Sequence, residues 1–260
     1  MIILGRQHLR GRWDLVGGLS CFSRISKRET KTGEIPFVLV HGLGVSSRYM
    51  VPLANELAPR HPVYAPDLPG HGRSEKPKRV LNIRELAEAL CDWLHAVRIN
   101  RAVFVGNSMG CQVLVELADL HPACMLAAAL LGPTMDQTVS SPLSHVVGLF
   151  KDQLWEPLSL IPLQAFDYLN NGPIRTIVEF RNALRHDMLA RVSRLQAPCL
   201  VMRGEHDTIV SQPWVEMLAQ HLPQADVQTI SGAGHALNYN AAPTITPLIL
   251  QFCREHGLSV

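Results

Sequence analysis

Charge is the first thing this 260-residue chain is short of. Asp, Glu, Lys and Arg make up 18% of it, the formal net charge is +2, and no run of Lys or Arg exceeds three residues. A near-neutral chain without a basic stretch carries no electrostatic footprint for nucleic acid or an anionic membrane surface, so neither is expected as a partner. Long apolar runs are missing too. The longest, Ala123 to Leu131, is about half of what a membrane-spanning helix needs. The opening Met1-Ile2-Ile3-Leu4-Gly5-Arg6 places its charge after its apolar stretch, the reverse of a secretory leader. The expectation is a cytoplasmic chain with no membrane span. None of the six cysteines forms a C-x-x-C pair, and Cys111, Cys124 and Cys199 stand inside apolar runs, where a thiol behaves as a small hydrophobe. They read as reduced core residues. The 12 histidines are scattered without metal-ligand spacing, so no metal is expected.

Core-forming residues are plentiful. Apolar side chains make up 47% of the chain, which excludes disorder and suits one large α/β domain carrying an insertion. Phe37–Val40, Ala102–Val105, Met125–Leu131 and Cys199–Met202 are unbroken apolar runs rather than alternating ones, and Ala225–Ile230 follows as a further strand. Such runs suit strands buried on both faces of a parallel sheet. Helical patterns separate them. Ile83, Leu86, Ala87, Leu90, Leu94 and Val97 mark one apolar face, with Asn82 and Glu85 spaced as a capping box. A second helix follows Ser108 with Val113, Leu114 and Leu117 inward. Pro213 opens a third with Val215, Leu218 and Leu222, and the last runs from about Thr244 to Glu255. Alternating strands and helices predict a parallel sheet covered on both faces. Leu19 to Ser26 and the Lys31-Thr32-Gly33 turn suggest an antiparallel hairpin at the sheet edge. From about Thr134 to Leu189 the rhythm breaks. That stretch has four prolines, many large apolar residues and no strand signal, and it reads as an inserted helical cap. The expected division is a core of residues 1–133 and 190–260 with a cap at 134–189.

Gly106-Asn107-Ser108-Met109-Gly110 fits G-x-S-x-G between a predicted strand and a predicted helix. So sharp a turn strains the serine backbone and needs glycines where other backbones pass close by. The Met109 N–H, at the helix start, then points toward an incoming oxyanion. A serine hydroxyl needs a base near neutral pH. His235, in Gly232-Ala233-Gly234-His235 after the Ala225–Ile230 strand, supplies one. The imidazole needs a carboxylate to hold its tautomer and stabilise its cation. Asp207, just after the Cys199–Met202 strand, is the preferred acid, with Asp136 and Glu205 as rivals. A second oxyanion donor, the Leu43 N–H, comes from His41-Gly42-Leu43-Gly44. His41 itself reads as a structural brace.

These segments resemble the α/β-hydrolase superfamily in its branch with a helical cap. HGLG at 41–44, DLPGHGRS at 67–74, GNSMG at 106–110, and GEHD with GAGH at 204–207 and 232–235 carry the likeness, in the Ser, Asp, His order of that fold. The resemblance implies an eight-stranded, mostly parallel sheet with one antiparallel strand near the start, helices on both faces, and no cofactor. It also implies that Asp67, His71, Arg73 and Ser74 are structural.

The function expected is hydrolysis of carboxylic esters, or thioesters, of small to medium apolar acyl groups through an acyl-enzyme, by a monomer or homodimer. In the cap, Leu149, Phe150, Trp155, Leu158, Phe166, Tyr168 and Leu169 are candidates for an acyl pocket or for packing the cap on the core. Arg175, Arg181 and Arg185 read as a solvated helix face. GNSMG also resembles the elbow of carbon–carbon bond hydrolases that act on ring-fission products. Those usually carry Trp after the histidine, where this chain has Ala236, and the cap offers no Arg-aromatic pair for a dienoate. The remaining alternative is a non-catalytic ligand receptor on the same fold.

Overall fold

The computed structural model describes residues 8–28, 30–139 and 141–260. The opening Met1–Arg6, read above for a leader, lies outside them. The sheet has eight strands: β1 (Leu9–Val16), β2 (Leu19–Ser26), β3 (Phe37–Val40), β4 (Val63–Pro66), β5 (Ala102–Asn107), β6 (Met125–Leu131), β7 (Cys199–Gly204) and β8 (Ala225–Ile230). Their order is β1-β2-β4-β3-β5-β6-β7-β8. Pairs from β4 to β8 are parallel, and β2 runs antiparallel to both of its neighbours. The described residues also form the helices α1 (Val51–Leu57), α2 (Ile83–Ala96), α3 (Met109–Leu120), α4 (Pro142–Asp152), α5 (Leu160–Asn171), α6 (Pro173–Arg185), α7 (Met188–Val192) and α8 (Gln212–His221) between strands, and α9 (Leu237–Asn240) and α10 (Ala242–Glu255) after β8, with a 3₁₀ turn at Pro122–Cys124.

The unbroken apolar runs have a simple cause. Successive side chains of a strand point to opposite faces, and here both faces are covered. Val38, Val40 and Phe104 pack with residues of α2, α3 and α8, whereas Phe37, Leu39, Val103 and Val105 pack with residues of α1, α9 and α10. All seven strand residues are essentially inaccessible, and each such burial contributes roughly 1.5–3 kcal/mol. The capping box of α2 forms as spaced: Asn82 Oδ1 accepts the Glu85 N–H at 3.0 Å and Glu85 Oε2 accepts the Asn82 N–H at 2.9 Å.

Two expectations need correction. Leu19–Ser26 belongs to the hairpin at the sheet edge, but the edge strand itself is its hairpin partner β1, upstream, and not a segment beyond Lys31-Thr32-Gly33. Gly17 and Gly18, at φ 56° and 81°, make the two-residue turn; paired left-handed residues match the twist of a hairpin. The Lys31–Glu34 turn instead carries the chain from β2 to β3, in the sheet interior. Cys124 is only partly buried, although all six cysteines are free and the other five are in the core. The stretch between β6 and β7 contains α4 to α7 and no strand among the described residues, and α7 runs through the expected boundary at 189.

The chain leaves β3 for β4 on one side and returns to β5 on the other. The loops after β3 and β5 therefore diverge from adjacent strands and leave a crevice, where open α/β sheets bind ligands. Asn82→Ala should lower unfolding stability by about 0.5–2 kcal/mol in chemical denaturation, by removing one half of the α2 capping box; an unchanged midpoint and slope would show that the cap contributes nothing.

Candidate active site

Ser108 stands between β5 and α3 with φ 56° and ψ −123°, a backbone region that costs a non-glycine residue about 1–3 kcal/mol unless its surroundings enforce it. They do. The Ser108 N–H donates to the Leu131 carbonyl at 2.9 Å. A β-carbon at Gly106 would press on the Gly110 and Cys111 backbone at 2.9 Å, and one at Gly110 would strike the carbonyl oxygens of Val40 and His41. The two glycines thus let the turn sit directly on β3. Behind Met109, the first residue of α3, no helical turn supplies an acceptor. Among the described residues neither the Met109 nor the Leu43 N–H has a backbone partner, and both residues line the same cavity as Ser108.

His235 and Asp207 are brought together as expected: Nδ1 lies 2.8 Å from Asp207 Oδ2. Asp207 is held in turn by the N–H groups of Ile209 and Val210 on its other oxygen, at 2.8 and 2.9 Å. That arrangement leaves Nδ1 as the proton donor and Nε2 as the acceptor. Nε2 is buried with no hydrogen-bond partner among the described residues. Ser108 Oγ is not bonded to it; it stands 3.5 Å from Thr134 Oγ1, a neighbour that nothing in the sequence marked. The rival acids are occupied elsewhere. Asp136 accepts the Thr138 and Ser211 N–H groups, and Glu205 accepts from Ser231 Oγ and the Gly232 N–H.

The expected braces are also in place. His41 is fully buried, with Nδ1 2.8 Å from the Gly42 carbonyl and Nε2 accepting the Leu68 N–H at 3.0 Å. Burial, then the neighbouring His71, depresses it to about 4, so it stays neutral. Asp67 accepts the N–H groups of Ser47 and Arg73, and Ser74 Oγ donates to the Asp67 carbonyl while accepting the Phe22 N–H. His71 faces Glu179 of α6 at 3.3 Å.

Two further carboxyls reach the histidine loop from the inserted helices. Asp152, which ends α4, accepts the His235 N–H at 3.1 Å, and Glu156 accepts the Ala236 N–H at 2.7 Å and the Asn240 side-chain amide at 2.8 Å. Trp155, between them, stacks on His206 at 3.8 Å. Burial pushes Glu156 up to about 7 and raises Asp152 as well. For His235, burial pulls the imidazolium down. The charge and hydrogen bond of Asp207, with Asp152 and Glu156 adding to them, prevail and raise it to about 9, so Nε2 accepts a proton only in the deprotonated fraction of the ring, which grows as pH rises. The only trace of this pair in the sequence is two acids four apart in an otherwise apolar stretch.

The cavity above Ser108 measures about 530 Å³. Of the cap residues considered for it, Leu149, Phe150 and Tyr168 line it, joined by Val146, Ile161, Ile177 and Phe180. The others do not. Trp155 is taken by His206, Phe166 lies under the Arg48 guanidinium at 4.6 Å, and Leu158 and Leu169 are 81% and 80% exposed. No Lys or Arg lines the cavity among the described residues; Arg175 instead donates to the Pro77 carbonyl at 2.7 Å.

Sheet order, strained serine turn and histidine–carboxylate pair together define an α/β hydrolase. The family model for the alpha/beta hydrolase family matches residues 37–245, and the chain belongs to that family. It is 28% identical over 245 residues to a dihydrolipoyllysine-residue acetyltransferase component of the acetoin cleaving system from Pseudomonas putida. That match covers 86% of this chain and 65% of the relative, so the chain spans just under two thirds of that protein's length. The enol-lactonase from Burkholderia xenovorans LB400 superposes with a TM-score of 0.78 at 23% identity, over 94% of this chain and 100% of that one. The 2-hydroxy-6-oxo-6-phenylhexa-2,4-dienoate hydrolase from Rhodococcus sp. strain RHA1 gives 0.79 at 21% identity, over 95% and 99%. At these identities the structural likeness is one of fold. No helix among the described residues is long and apolar enough to cross a membrane.

Because three carboxyls surround His235, its ring protons in an NMR titration should report a midpoint above the ordinary imidazole value of about 6.5. Asp152→Asn, which keeps the acceptor oxygen and removes the charge, should move that midpoint to lower pH. An identical midpoint in both proteins would show that Asp152 does not act on the imidazole.

Proposed function

We propose that this chain is a serine hydrolase that cleaves carboxylic esters of small to medium apolar acyl groups through an acyl-enzyme, with Ser108 as nucleophile, His235 as general base and Asp207 as the acid that orients it. Residues 134–189 act as a cap that roofs the acyl site. The observation that carries this reading is the cavity itself: a largely apolar chamber with no Lys or Arg among the described residues that line it, and with Ser108 and the Asp207-bonded His235 among its walls.

Ser108 Oγ, beside Thr134 and not bonded to the unpartnered Nε2, has to turn about χ1 to meet it; such bonds often form only once substrate is bound. Oγ then attacks the carbonyl carbon as His235 takes its proton. The oxyanion is received by the Leu43 and Met109 N–H groups, and losing one such donor typically costs about 10²–10³ in rate. The imidazolium, stabilised by Asp207, returns the proton to the departing alkoxide. The acyl group stays on Ser108 until a water, deprotonated by His235, releases the acid. A thioester would follow the same course with a thiol leaving.

The enol-lactonase likeness is consistent with ester chemistry. The dienoate hydrolase likeness raises carbon–carbon cleavage as the alternative, but a dienoate is an anion. Here the cavity offers two acids, Asp152 and Glu156, and no Lys or Arg among the described residues to meet it, and Ala236 follows the histidine. On a series of p-nitrophenyl esters of rising acyl length, kcat/KM should climb with chain length until the acyl group outgrows the cavity. Ser108→Ala should retain the fold by circular dichroism and lose at least about 10⁴-fold in kcat. A ring-fission dienoate should keep its visible absorbance. Turnover of the dienoate, or ester turnover that survives Ser108→Ala, would overturn this reading, and no turnover of any ester would favour a ligand receptor.

A further inference from the structure

Far from the cavity, the ends of two packed helices bring together donors that the reading of the sequence kept apart. Cys91 and His95 are four residues apart on α2, so they share one stripe of its surface. His121 ends α3, where the chain turns into Pro122–Cys124. Cys91 Sγ lies 4.0 Å from the ring nitrogens of His95, and the rings of His95 and His121 meet edge-on with centroids 5.7 Å apart. One ligand atom from each of the three residues lies within 4.8 Å of the others. The ester chemistry does not use this grouping, and only Cys91 of the three packs into the core. It stands roughly 18 Å from Ser108 along α3, at about 1.5 Å per residue.

We propose that Cys91, His95 and His121 form a surface site for a borderline-soft divalent cation, Zn²⁺, with water in the fourth position. One thiolate and two imidazoles are the donor set that zinc takes and that Mg²⁺ and Ca²⁺ refuse. Tetrahedral Zn–S and Zn–N bonds of about 2.3 and 2.0–2.1 Å hold ligand atoms roughly 3.3–3.7 Å apart. The three donors must therefore close by about an ångström, which side-chain rotation supplies. Cys91 is buried at the floor, and both imidazoles are exposed at the rim, open to an entering ion. Binding converts the Cys91 thiol to a thiolate and releases its proton to solvent, while both imidazoles bind as neutral donors. The ion then ties the C-terminal ends of α2 and α3 together. Because it binds the folded chain in preference to the unfolded one, it raises the melting temperature.

The test uses the full chain, reduced and stripped of metal, titrated with Co²⁺ and then Zn²⁺. The expected result is one Co²⁺ per chain, with a sulfur-to-cobalt charge-transfer band in the near ultraviolet that stoichiometric Zn²⁺ removes. Zn²⁺ should also raise the melting temperature. Cys91→Ser should abolish the band. His121→Ala, at an exposed position that leaves the core intact, should weaken Co²⁺ binding at least about tenfold. Cys124, three residues beyond His121, is the rival thiol, and Cys124→Ser should keep the band. No band in the wild-type chain, a band that survives Cys91→Ser, or unchanged affinity in His121→Ala would overturn the proposal.

Discussion

The site depends first on how closely the turn between β5 and α3 approaches β3. Ser108 holds a left-handed backbone because the carbonyls of Val40 and His41 leave no room for a β-carbon at Gly110, and because the Gly110 and Cys111 backbone leaves none at Gly106. A strained conformation persists only where its surroundings over-determine it. Here they are the two central strands of a sheet whose side chains are buried on both faces. The core thus does more than stabilise the chain. It fixes where a hydroxyl, the free N–H of Met109 and the loop after β3 stand relative to one another.

The histidine depends on a different set of contacts. His235 lies on the loop beyond β8, near the far edge of the sheet from β1, and is oriented by Asp207 from the loop beyond β7. Its backbone is held from the opposite side by Asp152, and that of Ala236 by Glu156, both from the inserted helices. The segment between β6 and β7 therefore lines the cavity and also fastens the loop that carries the imidazole. It does so with acids in a largely apolar setting, where a charge is expensive. That cost raises both carboxyls, and the negative charge they carry favours the imidazolium.

The Cys91, His95 and His121 grouping follows from the same helix packing at its other end. The helix that begins at Ser108 ends at His121, beside the C-terminal end of α2. A side chain four residues along one helix and another at the end of its neighbour are adjacent only once the helices have docked.

What the sequence determined alone was whatever depends on local pattern. The strands at 37–40, 102–107, 125–131 and 199–204 were legible from their apolar runs, α2 from its 3.6-residue period and capping box, and the serine turn from its glycines between strand and helix. Asp207 and His235 were legible because strand ends followed by glycine-rich loops mark where an α/β sheet collects its functional groups. Only the tertiary structure decided which strand pairs with which, so β2 turned out to partner β1 across Gly17 and Gly18. It alone decided that Phe150 and Tyr168 line the cavity while Phe166 meets Arg48, and that Asp152, Glu156 and Thr134 stand beside the catalytic candidates. The physical reason is range. Propensity, periodicity and capping act over a few residues, whereas the contacts around the site join residues 26 to 118 positions apart, and such pairs are chosen by how whole elements pack.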